Sequence, residues 1–348
     1  MTSFLKKTGL LLSSISLAML ISCTNTETEV TVEKVAKTPT ETVDPLPSWK
    51  DTENKKAIIA YVNEVTNKES EYFIPVNARI TTFDNDGTLW SEQPMYFQLF
   101  FAIDRVKAMA ADHPEWQNQQ PYQAILENDL EALKKQGMKG IGEVIMTTHA
   151  GNTTEEFDAI VKDWVATAKH PTKNKGYNEL VYQPMLELLA YLRANDFKTY
   201  IVSGGGVDFM RAFVTEVYGI PAEQIIGSRI KTEFDFNDGN PVIRRVVGLD
   251  YNDDKAGKPL NIQKIIGKKP VLAAGNSDGD LQMLQWANSN SYKSFPLYVH
   301  HTDSVREWAY DRDSHIGTFN NGYDYATEKG WTIVDMAKDW KVIYPYEK

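Results

Sequence analysis

The chain has 348 residues, 42% of them hydrophobic and 24% charged, the proportions of a soluble globular protein long enough to bury a large core. A formal charge of -10 without any basic run excludes nucleic acid as a partner. A single cysteine excludes an internal disulfide.

Lys6 and Lys7 precede an apolar segment from Leu10 to Ile21, shorter than the run of about 20 residues that a membrane span needs. Residues 1–22 therefore read as a secretory signal peptide. Leu20-Ile21-Ser22-Cys23 resembles a lipobox, the cleavage signal of bacterial lipoproteins. That resemblance implies a lipid on Cys23 and a mature protein exported and held at a membrane by that lipid alone, on the periplasmic side or at the cell surface. Residues 23–50 are rich in Thr, Glu and Val, carry Pro39, Pro45 and Pro47, and keep no helical or strand period. A disordered tether is expected there.

Ile58, Ile59, Val62 and Val65 then recur at helical spacing after Asp51-Thr52-Glu53, a capping start. Pro75 breaks the chain ahead of a short strand, Arg79 to Phe83, which ends in Asp84-Asn85-Asp86-Gly87-Thr88-Leu89. A buried strand that delivers two carboxylates to a tight turn is how α/β sheets present reactive groups. One acid could attack phosphorus while the other donates a proton. Asn-Asp-Gly is equally ordinary turn chemistry.

From Trp90 to about Gly176 the patterns are helical: Tyr96 to Ala110, Tyr122 to Gln136 and Thr154 to Ala168, with breaks at Pro114, Pro121, Gly137, Gly140, Gly142, Gly151 and Pro171. Residues 91–176 are thus an all-helical insertion. Helix and strand then alternate: Met185 to Leu192 (helix), Phe197 to Val202 (strand), Phe209 to Val217 (helix), Gln224 to Arg229 (strand), and a hairpin turn from Asp235 to Pro241 leading into Val242 to Val247. Asn261 to Ile266 (helix), Val271 to Ala274 (strand), Asp278 to Ala287 (helix) and Leu297 to Val299 (strand) follow. The alternation predicts an α/β fold with a doubly wound parallel sheet, built from residues 51–90 and 177–348. Ile316 to Lys348 carries no legible motif.

Three later stretches carry chemistry. Ser203 ends an apolar run and precedes Gly204-Gly205-Gly206, whose backbone N–H groups and following helix start could cradle a phosphate or simply form a flexible loop. Lys258 stands in Gly257-Lys258-Pro259-Leu260, where Pro259 suits a first helical position; Lys255 competes with it. Gly275-Asn276-Ser277-Asp278-Gly279-Asp280 puts oxygen donors after a strand, which suits Mg²⁺.

In this order the four motifs resemble the signatures of the haloacid dehalogenase superfamily of phosphohydrolases, nearest its phosphoserine-phosphatase-like branch, over Arg79 to Val299. The resemblance makes the helical insertion a cap. It implies Asp84 as nucleophile, Asp86 as acid and base, and Ser203, Gly204 and Lys258 as phosphate-binding groups. Mg²⁺ would be held by Asp84, Asp86 and some of Asn276, Asp278 and Asp280. Asn276 departs from the family pattern, which has an acid there, so Asp278 is an alternative ligand; Asp280 either binds metal or holds Lys258. Glu92 and Arg105 lie where the resembling phosphatases contact the amino and carboxylate ends of their substrate. His300-His301 is expected to be structural, because adjacent strand residues point to opposite faces. Trp90, Tyr96, Phe97, Phe100 and Phe101 are expected to pack the cap and its hinge rather than cage a cation. The implied activity is Mg²⁺-dependent hydrolysis of a small phosphomonoester outside the cytoplasm, through an aspartyl-phosphate. The alternatives are a specific phosphoserine phosphatase and a non-catalytic surface binding lipoprotein.

Overall fold

Ile80-Thr81-Thr82-Phe83 is a β-branched and aromatic run, and all four residues are buried, so this strand must be covered on both faces. In the computed structural model, which describes residues 43–347 apart from 238, it is the central strand of a seven-stranded sheet. The elements run α1 (Glu53–Thr66), β1 (Ile80–Phe83), α2 (Phe97–Met109), α3 (Tyr122–Leu126), α4 (Leu130–Lys135), α5 (Gly137–His149), α6 (Thr154–Thr167), α7 (Gln183–Ala194), β2 (Lys198–Gly206), α8 (Val207–Arg211) and α9 (Val214–Tyr218). They continue with β3 (Ile225–Asn237), β4 (Asn240–Tyr251), α10 (Gly257–Ile265), β5 (Leu272–Gly275), α11 (Leu281–Asn288), β6 (Phe295–His300), α12 (Asn321–Lys329), β7 (Thr332–Asp335) and α13 (Met336–Asp339).

The strand order is β4-β3-β2-β1-β5-β6-β7. Every pairing is parallel except β3 with β4, which forms a long hairpin. Successive strand residues feed two cores, as the pleat requires. Ile201, Leu272 and Leu297 join one cluster, while Val202, Ala273 and Tyr298 join the other. The expected doubly wound α/β sheet is what forms.

The chain leaves β1 for β2 on one side and crosses to β5 on the other, so the sheet reverses direction of build at β1. Open α/β sheets bind ligands in the crevice at that point, beyond the carboxyl ends of the strands. Register brings the predicted motifs there: Phe83 pairs with both Ile201 and Ala274. Asp84, Ser203 and Asn276 consequently follow within two residues of one line across three strand ends.

Several boundaries differ from expectation for identifiable reasons. The expected break at Gly137 is present, since α4 ends at Lys135 and Gly137 stands at φ +60, but the glycines at 140 and 142 do not break the chain: α5 runs through them, because Val144 and Thr148 bury against the α2 side and this packing outweighs the propensity cost. The helix expected over 209–217 is split at Ala212–Phe213. Strand β2 extends through the glycines to Gly206, with an irregular register against β3 between Ser203 and Gly206. The unread C-terminal stretch supplies α12, β7 and α13. Helix α6 starts with a reciprocal cap, in which Glu156 N–H donates to Thr153 Oγ1 (3.1 Å) and Thr153 N–H to Glu156 Oε2 (2.8 Å).

Asp44–Lys348 forms one compact unit. The end of the expected tether belongs to it. Leu46 and Trp49 are fully buried, Trp49 packs edge-on against Trp340 (5.9 Å), and Ser48 Oγ donates to Glu187 (2.7 Å). Two large apolar side chains are too much surface to leave in water, which is why residues 44–50 fold while carrying two prolines. The predicted signal peptide, the lipobox with Cys23 and the tether up to residue 42 lie outside the described residues. Among the described residues no helix is long and apolar enough to cross a membrane.

Candidate active site

The turn after β1 is pinned before any chemistry is considered. Asp84 N–H donates to Ala274 O (2.9 Å), and the N–H groups of Thr88 and Leu89 converge on Asn85 O (3.2 and 2.8 Å). Asn85 is itself buried and accepts from the Tyr218 hydroxyl (3.0 Å). Gly87 stands at φ +69, and a Cβ there would lie 2.0 Å from Asn276 Nδ2 and 2.5 Å from Glu92 Oε1. Only glycine satisfies both the backbone and the space. Gly87→Ala should therefore lower stability by at least about 2 kcal/mol and cut turnover with it, as read by chemical denaturation and phosphate release. A variant as stable as the wild type would mean the turn is not constrained this way.

At the centre of the site, Lys258 Nζ donates to Asp84 Oδ1 (2.7 Å), to Asp280 Oδ1 (2.5 Å) and to Val202 O (2.9 Å). Lys258 is 2% exposed and Asp280 is fully buried. Burial works against the ammonium charge, but Asp280 and Asp84 outweigh it and hold Lys258 well above its usual range. The competing Lys255 is exposed. Burial, reinforced by Asp280, pushes Asp84 well above the ordinary carboxylate value against the pull of Lys258. Asp86 is raised to about 6, again by burial, with the Trp90 indole N–H donating to its Oδ1 (2.8 Å) and opposing the rise. A half-buried carboxyl poised near neutrality can give a proton and take one back.

Ser203 is buried, and its Oγ accepts from Gly205 N–H (3.1 Å). The loop faces the acid, since a Cβ on Gly205 would stand 3.6 Å from Asp86 Oδ2. Gly206 N–H donates to Gln98 Oε1 (2.8 Å), and Gln98 Nε2 meets His149 Nε2 at 2.9 Å. With the amide nitrogen as donor, that ring nitrogen accepts and Nδ1–H faces Thr148 Oγ1 (2.9 Å). This chain ties α5 and α2 to the glycine loop, and burial drives His149 down to about 3, so the ring is neutral. A cavity of about 170 Å³ opens beside Gly204 and Gly206, walled by Gln98, His149, Phe209, Arg229 and Arg245.

The loop after β5 treats its three candidate ligands differently. Asp278 is engaged elsewhere: its carboxylate accepts the N–H groups of Asn320, Asn321 and Gly322 (2.8 to 3.1 Å), capping α12. Asp280 Oδ1 holds Lys258 while Oδ2 accepts from Asn276 and Ser277 N–H (3.0 and 3.1 Å). Asn276, buried at the end of β5, remains at the mouth of the site. Glu92 and Arg105 do not pair toward a substrate. Glu92 is 2% exposed and accepts from Asn276 Nδ2 (2.7 Å) and the Tyr310 hydroxyl (2.8 Å). Burial raises its carboxyl well above the usual range, and Asp86 and Asp84 add to the rise. Arg105 is half-buried on α2, with Nε lacking a hydrogen-bond partner among the described residues.

Whether a divalent cation fits can be judged from the donor set. Asp84 and Asp280 share the buried Lys258, while Asp86 and Glu92 add their carboxyl groups beside Asp84, and such an excess of negative charge is costly unless balanced. All the donors are hard oxygens, as Mg²⁺ prefers. Among the described residues no three His, Cys, Asp or Glu side chains form a metal cage of their own. A cation here would therefore draw on amide and backbone oxygens and on water, which also suits Mg²⁺.

Residues 81–285 match the model of the haloacid dehalogenase-like hydrolase family, more than half of the chain. The chain belongs to that family. This hydrolase resembles several solved structures in the course of its fold. They include a conserved protein of unknown function from Anaerococcus prevotii (17% identity, TM-score 0.47, covering 75% of this chain and 89% of that one) and a protein of unknown function from Bordetella pertussis (13%, 0.45, 74% and 98%). A phosphoserine phosphohydrolase-like protein from Francisella tularensis is a third (18%, 0.36, 64% and 87%). No curated protein matches the sequence.

Around the site the hydrolase uses residues that carried no legible motif. His301 Nε2 contacts Gly87 O (2.7 Å) while its Nδ1 meets Glu307 (3.1 Å), so it buttresses the turn. Tyr344 exchanges a hydrogen bond with Ser91 (2.7 Å), and Thr318 O receives Asp278 N–H (2.8 Å). The C-terminal stretch is thus the back wall of the site. Trp90, Phe97 and Phe101 are buried and Phe100 half-buried; Trp90 packs on Phe97 and Phe213 (4.7 and 4.9 Å), and only Tyr96 is exposed.

Proposed function

We propose that this hydrolase cleaves phosphomonoesters through a phosphorylated Asp84, with Mg²⁺ as cofactor. The observation that carries the reading is the Asp84–Lys258–Asp280 bridge with Asp86 two residues beyond the nucleophile and facing the glycine loop. Asp84 Oδ attacks phosphorus and the ester P–O bond breaks. The departing alkoxide takes the proton of Asp86. A water then gives a proton to Asp86 and attacks phosphorus; the bond to Asp84 breaks and inorganic phosphate leaves. Lys258, Ser203 and the Gly204–Gly206 loop balance charge on the transferring phosphoryl oxygens. Bound Mg²⁺, held by Asp84, the Asp86 backbone and Asn276, would supply further charge neutralisation and orientation.

The same geometry supports a position for the leaving group. Asp86 adjoins the glycine loop, and the 170 Å³ cavity opens on that loop. Its size suits a small metabolite. A dedicated phosphoserine site is the less favoured reading, because Glu92 Oε1 already accepts from Asn276 and Tyr310. We further propose that the enzyme is exported and anchored by a lipid on Cys23, placing its substrates outside the cytoplasm.

Phosphate release from a panel of small phosphomonoesters, with and without Mg²⁺, tests the reading; no release from any member under either condition would overturn it. Asp86→Asn sharpens it. The variant should lose about 10²–10⁴-fold on alkyl phosphates, whose leaving oxygen needs a proton, and much less on p-nitrophenyl phosphate, which leaves unassisted. Equal losses on both would remove Asp86 from the acid role.

A further inference from the structure

Asn276 is a neutral amide at the strand end where the cation reading needs charge, and a carboxylate from another part of the chain is built against it. Glu92 Oε1 accepts from Asn276 Nδ2 at 2.7 Å and from the Tyr310 hydroxyl at 2.8 Å. Two glycines make the space. Gly87 and Gly317 both have positive φ (+69 and +69), and a Cβ on them would lie 2.5 and 2.1 Å from that same oxygen. Two left-handed glycines from segments 230 positions apart therefore open onto one carboxylate oxygen. No hydrogen bond reaches Glu92 Oε2 among the described residues.

An amide has one accepting and one donating end. With Nδ2 spent on Glu92, Oδ1 is the end left to accept, and its one hydrogen bond is a long 3.3 Å contact from Thr88 Oγ1. We propose that Glu92 is the positioning residue of the Mg²⁺ site: it fixes which end of Asn276 serves the cation and supplies the negative charge that an amide lacks. Asn276 and Glu92 together do the work of one aspartate. The inference rests on the Mg²⁺ reading above.

The test is calorimetric titration of the purified full-length protein with MgCl₂ alone, together with circular dichroism to verify folding. Glu92→Gln should weaken Mg²⁺ binding by about 10- to 100-fold, the usual cost of losing an outer partner of a metal ligand. Asn276→Asp combined with Glu92→Gln should return the affinity to within about threefold of wild type, since the acid has only moved. If Glu92→Gln alone does not fold, the pair Asn276→Asp and Asn276→Asp/Glu92→Gln carries the test: the two should differ by less than about threefold. Wild-type affinity in Glu92→Gln, or no recovery in the double variant, overturns the role of Glu92 while leaving the cofactor in place. A wild-type protein that binds no Mg²⁺ overturns the cofactor reading itself.

Discussion

Asp84→Asn should reduce phosphate release by at least about 10⁴-fold, the scale on which removal of a covalent nucleophile acts, and should leave the Mg²⁺-free protein at least as stable as the wild type. The first half follows from chemistry, because a carboxamide does not attack phosphorus usefully. The second follows from the crowding of Asp84 with Asp280 and Asp86. An amide keeps an oxygen for the Lys258 ammonium and removes one negative charge. The sign of the pH effect is fixed by the same shift. Burial raises Asp84 above its ordinary 3.8, so its contribution to stability is fully present below that value and is lost as pH rises through the folded value. In EDTA, the wild type should lose stability with rising pH more steeply than Asp84→Asn. Turnover within tenfold of wild type would assign the nucleophile elsewhere, and a variant destabilised at neutral pH would show that the charge of Asp84 is welcome in the fold.

The sheet was legible because its signal is local. β1, β5 and β6 are short apolar runs bounded by breakers, and each was expected within two residues of its observed limits. The candidate site was legible for the same reason: its polar side chains follow apolar runs that stop abruptly at Asp84, Ser203 and Asn276. What stayed hidden depends on contacts remote in sequence. Nothing near Asp278 announces that its carboxylate will cap α12, more than forty residues later. The contacts of Glu92 with Asn276 and Tyr310 span 184 and 218 positions, and the family resemblance put it instead where a substrate end would be. Helix α5 was hidden by its glycines, because propensity is local while the packing that overrides it is not.

Lys258→Met tests the charge balance of the cluster most severely. The methionine fills the volume of the lysine stem but leaves Asp84 and Asp280 facing each other without the ammonium, and Val202 O without its donor. Breaking a buried pair in this way costs roughly 3–5 kcal/mol, and here two carboxylates lose the same partner. The deficit should appear in urea denaturation at pH 7.5 in EDTA and shrink at pH 5. Burial and the neighbouring Asp280 already raise Asp84, and without the ammonium nothing opposes them, so falling pH neutralises Asp84 and restores stability. Adding Asp280→Asn to Lys258→Met should recover part of the loss, since one of the two uncompensated charges is gone while an oxygen remains for the Asn276 and Ser277 N–H groups. The double variant must then deviate from additivity, because both substitutions act on one interaction. A loss below about 1 kcal/mol at pH 7.5 would mean that Asp84 is already neutral in the wild type. In that event Asp84 would need to lose a proton before it could attack, and the rate would rise with pH over the range in which it ionises.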